Sequence, residues 1–169
     1  MKSENGYLKN YLTEIISALS IEPDFADVTV ITSYPAERLV FKEEKPVLTL
    51  GYEKLDFSSA GLCDFLGNGK DGDGNLTESY GKRCNISLVF NLYMPIKSGG
   101  EDCFSVASKL CDFLSFSGII SPLNITCSGV GVNQKSQCYQ VTVTATVPTL
   151  VVYEQQTEQI SNIIIRSVK

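Results

Sequence analysis

The chain contains no histidine and no tryptophan, and only two of its 169 residues are methionine. Without histidine, Ser–His and Cys–His couples are excluded, because the nucleophile lacks its usual base. The sequence also lacks GxSxG, GxxxxGK[ST] and HExxH. Leu66-Gly67-Asn68-Gly69-Lys70 is rich in glycine. It has no Ser or Thr after the lysine and opens no helix, which argues against a phosphate cradle. Zinc would need close cysteine pairs or histidines, and no CxxC is present. No apolar run approaches the roughly 18 residues of a membrane span. Lysine and arginine number 14 against 19 acids, for a net charge of −5, and they form no cluster. That balance removes the basic footprint of a nucleic-acid binder. Glu43-Glu44 and Glu101-Asp102 are adjacent carboxylates that acid–base chemistry would need. Each has a plainer explanation as a surface turn or a helix start. The chain is therefore read as not an enzyme, with no catalytic residue, no cofactor and no metal.

Six cysteines are present: Cys63, Cys84, Cys103, Cys111, Cys127 and Cys138. The opening MKSENGYLKN carries no apolar stretch, so no secretory signal is expected. Without export, disulfides are not expected, and the sequons at Asn75, Asn85 and Asn124 carry no meaning. Cys84, Cys103, Cys111 and Cys127 fall on expected apolar faces, where a thiol acts as a small hydrophobe.

What is present is pattern. Arg83 to Met94 alternates: Cys84, Ile86, Leu88, Phe90, Leu92 and Met94 are apolar, while Arg83, Asn85, Ser87 and Asn91 are polar. Strict alternation predicts a strand with one face on a core. Pro95 and Gly99-Gly100 break it. A helix follows, with Cys103, Val106, Ala107, Leu110, Cys111 and Leu114 on one stripe. Phe104 and Phe113 lie off that stripe and predict a second packing partner. Residues 5–20 are predicted helical, with Leu8, Tyr11, Leu12, Ile15, Ile16 and Leu19 on one face. Strands are predicted at 28–32 and 47–57. A hairpin is predicted from 124–132 and 137–147, with Tyr139, Val141, Val143, Ala145 and Val147 facing one way and threonines the other. Pro148 then interrupts, and Glu154 to Thr157 ends the short apolar run Leu150 to Tyr153. Residues 160–168 form a last β-rich segment whose Ile163, Ile164 and Ile165 need cover.

Residues 58–82 stand apart. Their centre, GNGKDGDGN, is polar and rich in glycine, and predicts a long mobile loop or the tip of a hairpin arm. KDGDGNLTE, residues 70–78, looks like part of a calcium loop. With Gly74 at the sixth position, Asp71 and Asp73 fit. Gly69 and Tyr80 then stand where the first aspartate and the bidentate glutamate belong. A glycine-permitted turn explains the run better. The length of 169 residues fits one domain. The fold class expected is α+β, a mostly antiparallel sheet packed by two amphipathic helices.

The order of elements, and above all the strand Lys82 to Pro95 with its x-Tyr93-x-Pro95 ending, Gly-Gly and amphipathic helix, resembles the tail-terminator family of bacteriophages and phage-tail-like particles. The resemblance covers most of the chain. It implies a structural subunit that forms a homo-hexameric ring, caps a tail tube and offers a docking face to a head or collar protein. It also implies contact with a sheath where the tail contracts. Assembly in the host cytoplasm and then residence in the particle would follow, with no membrane and no specific nucleic-acid partner. Within that reading, the loop would order against the tube or a neighbour through Lys70, Asp71, Asp73, Tyr80, Lys82 and Arg83. The extension 150–169 would reach a neighbour or the sheath through Val151, Tyr153, Ile163, Ile164 and Ile165. The same pattern also fits another head–tail joining or neck protein, or a small cytoplasmic α+β adaptor.

Overall fold

The alternating apolar residues of the long strand form one buried face: Cys84, Ile86, Leu88, Phe90, Leu92 and Met94 are all 2% exposed or less. The structure is a computed structural model that describes residues 7–32, 45–134 and 137–156. Among these, two helices, α1 (Tyr7–Ile21) and α2 (Gly100–Phe116), accompany a seven-stranded sheet. The strands are β1 (Thr29–Thr32), β2 (Val47–Ser59), β3 (Phe65–Lys70), β4 (Leu76–Pro95), β5 (Asn124–Cys127), β6 (Gly131–Asn133) and β7 (Cys138–Gln156). Their order is β1-β2-β4-β7-β5, with β3 paired to β4 and β6 paired to β7. β1 runs parallel to β2, while β3 on β4, β5 on β7 and β6 on β7 are antiparallel. The fold is α+β with a mixed, mostly antiparallel sheet.

The contacts gather into two compact units. One comprises Met1–Leu55 with Asn85–Pro148, the other Asp56–Cys84 with Thr149–Lys169. Strands β2, β4 and β7 have 13, 20 and 19 residues, far beyond the usual five or six. Each contributes residues to both units.

The first unit holds the core. α1 buries Leu12, Ile15 and Leu19, and α2 buries Cys103, Ala107, Leu110 and Leu114, as their 3.6-residue spacing requires. Val141, Val143, Ala145 and Val147 of β7 are buried too. On the opposite face the Thr142 hydroxyl donates to Asn91 Oδ1 at 2.9 Å. Gly99, at φ 86°, precedes α2 in a left-handed turn that glycine enters without steric cost. Phe113 finds the off-stripe partner expected of it, an edge-to-face contact with Phe25 at 5.9 Å. Phe104 does not, and stays 57% exposed.

β5 and β6 act as one antiparallel partner of β7. Asn124 pairs with Thr146 and Asn133 with Cys138. The register slips by one residue around Ser128–Val130, as at a β-bulge. The expected hairpin is present, with its first strand interrupted there. Cys127 pairs with buried Val143 and so takes the apolar face expected of it, but on the short outer strand it stays exposed.

Of the two alternatives expected for residues 58–82, the loop is corrected and the hairpin arm is found. β2 runs to Ser59, β3 and β4 form a hairpin, and only a tight turn separates Lys70 from Leu76. The Asp71 carboxylate closes that turn. Its Oδ1 accepts the N–H of Asp73 at 3.0 Å and of Asn75 at 2.8 Å, and its Oδ2 accepts from the Asn75 amide at 3.1 Å. Gly74 supplies φ 86°. Glycine and aspartate thus specify a turn, and the strands beside it are polar enough to hide their period. β7, for its part, does not stop at Pro148 or at Glu154 but continues to Gln156. Thr146 turns its carbonyl toward β5, where Leu123 N–H donates at 2.7 Å. Strand alternation gives Pro148 the same direction. Its missing N–H therefore lies on the side where β5 has already ended, and no bond to β4 is lost.

Candidate functional site

The described residues of the second unit form almost no interior. Among its described residues, Cys84 is the one apolar side chain that is fully buried. Yet the unit carries eight of the sixteen large apolar side chains that the described residues expose: Phe57, Leu62, Phe65, Leu66 and Leu76, with Leu150, Val151 and Val152. Leu62 is 89% exposed. So many exposed apolar side chains make this unit the candidate interaction site.

Local contacts hold this surface in shape. Phe65 and Tyr80, cross-strand partners, meet edge to face with ring centres 5.7 Å apart. Leu66 lies in the register shift between Phe65 and Gly67, and its side chain covers Gly81. A Cβ at Gly81 would come within 2.6 Å of Leu66 and 3.2 Å of the Val151 carbonyl oxygen. Lys82 Nζ and Asp64 Oδ2 stand 2.9 Å apart. That ammonium holds the Asp64 carboxyl below the usual carboxylate range. The Tyr80 hydroxyl donates to Glu78 Oε2 at 2.8 Å, and this bond raises the phenol. Phe57, Asp64, Tyr80, Gly81, Lys82 and Val151 line a shallow apolar groove between these groups. Cys63 and Asp64 both have positive φ, 52° and 64°. The preceding Gly61 is pressed against the Phe65 carbonyl, where a Cβ would come within 2.4 Å.

Lys70, Asp71, Asp73, Tyr80, Lys82 and Arg83, expected at one interface, and Val151 and Tyr153, expected at another, all fall in this unit. Lys70 and Asp73 are exposed beside the hairpin turn. Asp71 is half-buried and engaged in closing that turn. Lys82 and Arg83 are exposed on opposite faces of β4, and Val151 is 37% exposed. Ile163, Ile164 and Ile165 lie outside the described residues, as do Glu43 and Glu44. Glu101 and Asp102 are exposed in the first turn of α2, where acids favour the helix dipole.

Sequence reasoning missed Phe57, Leu62, Phe65, Leu66 and the Asp64–Lys82 pair. The usable signal was the set of apolar residues on either side of the glycine-rich run. Among the described residues no helix is long and apolar enough to cross a membrane. No protein-family model matches the chain, and no curated protein matches it significantly.

Proposed function

We propose that this chain is a structural assembly subunit of the tail-terminator type. Copies join side by side in a closed ring of about six that caps a tail tube, ends its growth and presents a face to a head or collar protein. The observation that carries the reading is the second unit: among its described residues eight large apolar side chains are exposed and one apolar residue is fully buried. A unit so built gains its apolar burial from a neighbour. The acidic net charge of −5 suits protein partners better than nucleic acid. The element order and the Lys82–Pro95 strand that resemble tail terminators supply the kind of assembly. On this reading the chain works by shape, catalyses nothing, holds no cofactor, and passes from host cytoplasm into a particle.

The test is the mass of the full chain in solution, by light scattering and native mass spectrometry, together with co-sedimentation on purified tail tubes. A closed ring, or capture at tube ends, is the expected result. A chain that stays a single subunit at high concentration and ignores tubes overturns the proposal.

A further inference from the structure

We infer that the outer edge of β7, from Pro148 to Gln156, accepts a strand from a second copy of this chain, supplied by residues 160–168. This rests on the ring reading above and names the contact that would build the ring.

The edge is defined by hydrogen-bond direction. Along β7, Thr142 and Thr146 turn their backbone carbonyls toward the β5–β6 side, where Ser128 N–H and Leu123 N–H donate to them. Val151 turns its carbonyl the other way, to within 3.2 Å of a Cβ position on Gly81 of β4. Alternation then points the N–H and C=O of Leu150, Val152 and Glu154 to the β5 side. β5 begins at Asn124, opposite Thr146. Among the described residues no strand pairs with β7 on that side beyond this point. An edge that no described residue pairs, on a strand exposing Leu150, Val151 and Val152, is a template for strand addition.

The sequence selects the occupant. Residues 149–156 carry one acid, Glu154, and no cation, while residues 160–168 carry one cation, Arg166, and no acid. The donor segment is β-rich through Ile163, Ile164 and Ile165. Only Thr157, Glu158 and Gln159 connect it to β7. They include no Gly, Asn, Asp or Pro of the kind a tight hairpin needs. Folding back onto the same β7 is therefore disfavoured, and a neighbouring β7 is the better acceptor. Handing a strand from each copy to the next is head-to-tail, the geometry that closes rings.

The experiment uses proline as a directional probe in the full chain. Leu150→Pro and Val152→Pro each remove an N–H from the open edge, whereas Val151→Pro removes one facing β4. Leu150→Pro and Val152→Pro are expected to weaken self-association about tenfold with the melting temperature nearly kept. Val151→Pro is expected to lower the melting temperature. The combined change of Ile163, Ile164 and Ile165 to Ser is expected to dissociate the ring without unfolding the subunit. Hydrogen exchange on the unaltered chain is independent of how the variants fold. The Leu150, Val152 and Glu154 amides are expected to be protected in the ring and open after dilution. Rings that persist in both edge-proline variants, or rings whose edge amides exchange freely, overturn this inference and leave the ring reading standing. A single subunit whose edge amides are protected shows the segment folded onto its own β7 and overturns it as well. A single subunit with open amides and no hold on tubes defeats both.

Discussion

Gly61, Gly72 and Gly81 lie within twenty-one residues of one another and tolerate a methyl group very differently. At Gly61 an added Cβ meets the Phe65 carbonyl oxygen at 2.4 Å, a backbone atom that cannot swing aside. At Gly81 the nearest atom, at 2.6 Å, is the end of the Leu66 side chain, though the Val151 carbonyl oxygen at 3.2 Å narrows the room. At Gly72 nothing lies within 4 Å. Overpacking a site that cannot relax costs about 1–3 kcal/mol. Thermal melts should therefore rank the variants: Gly61→Ala lowest, Gly81→Ala between, Gly72→Ala close to the unaltered protein. Equal melting temperatures for Gly61→Ala and Gly72→Ala would contradict the described turn.

At the scale of elements, α2 carries its own titration. Burial pushes the Cys103 and Cys111 thiols from 9.0 up to about 11, and neighbouring thiols add to the effect. Between those values the unfolded chain has lost the protons that the folded chain retains. Stability contributed by the neutral thiols is complete below about pH 9 and declines as pH rises toward about 11. Melting temperatures measured from pH 8 to pH 11 should fall, and replacing both cysteines by alanine should flatten the slope. Labelling with a thiol reagent at pH 8 should mark the exposed Cys63 and Cys127 first.

The elements differ in how openly the sequence declared them. β4 from Cys84 to Met94 was legible because six apolar residues alternate with polar ones, and α1 and α2 because their stripes repeat at helical spacing. β3 was not. Gly67, Asn68, Gly69 and Lys70 carry no apolar period, and their strand pairing depends on β4. The run past Pro148 was hidden for another reason: whether proline breaks a strand depends on which side its nitrogen faces, and only the register with β5 reveals that. The candidate surface was legible in part. Lys70 to Arg83 and Val151 to Tyr153 were placed at interfaces from loop length and exposed apolar content. That both belong to one unit follows from β4 and β7 being neighbours in the sheet, a pairing across more than forty residues of sequence that no local pattern announces.

For the whole molecule the consequence is thermodynamic. If the second unit gains cover only from another copy, assembly and folding are linked equilibria. The melting temperature should then rise with protein concentration, and most steeply where the population passes from subunits to rings. The edge-proline variants should show the same rise displaced to about tenfold higher concentration. A concentration-independent melt for the unaltered chain would show that its exposed apolar side chains gain nothing from company.

Sheet order also sets a timetable for the nascent polypeptide. β4 lies between β2 and β7 in the sheet, and β7 is the last described strand to leave the ribosome. With translation at about 5–20 residues per second, the middle of the sheet waits several seconds, one flank bare, for its second neighbour to emerge. α2 is made in that interval. Its apolar stripe can settle on the half-finished sheet until β7 arrives.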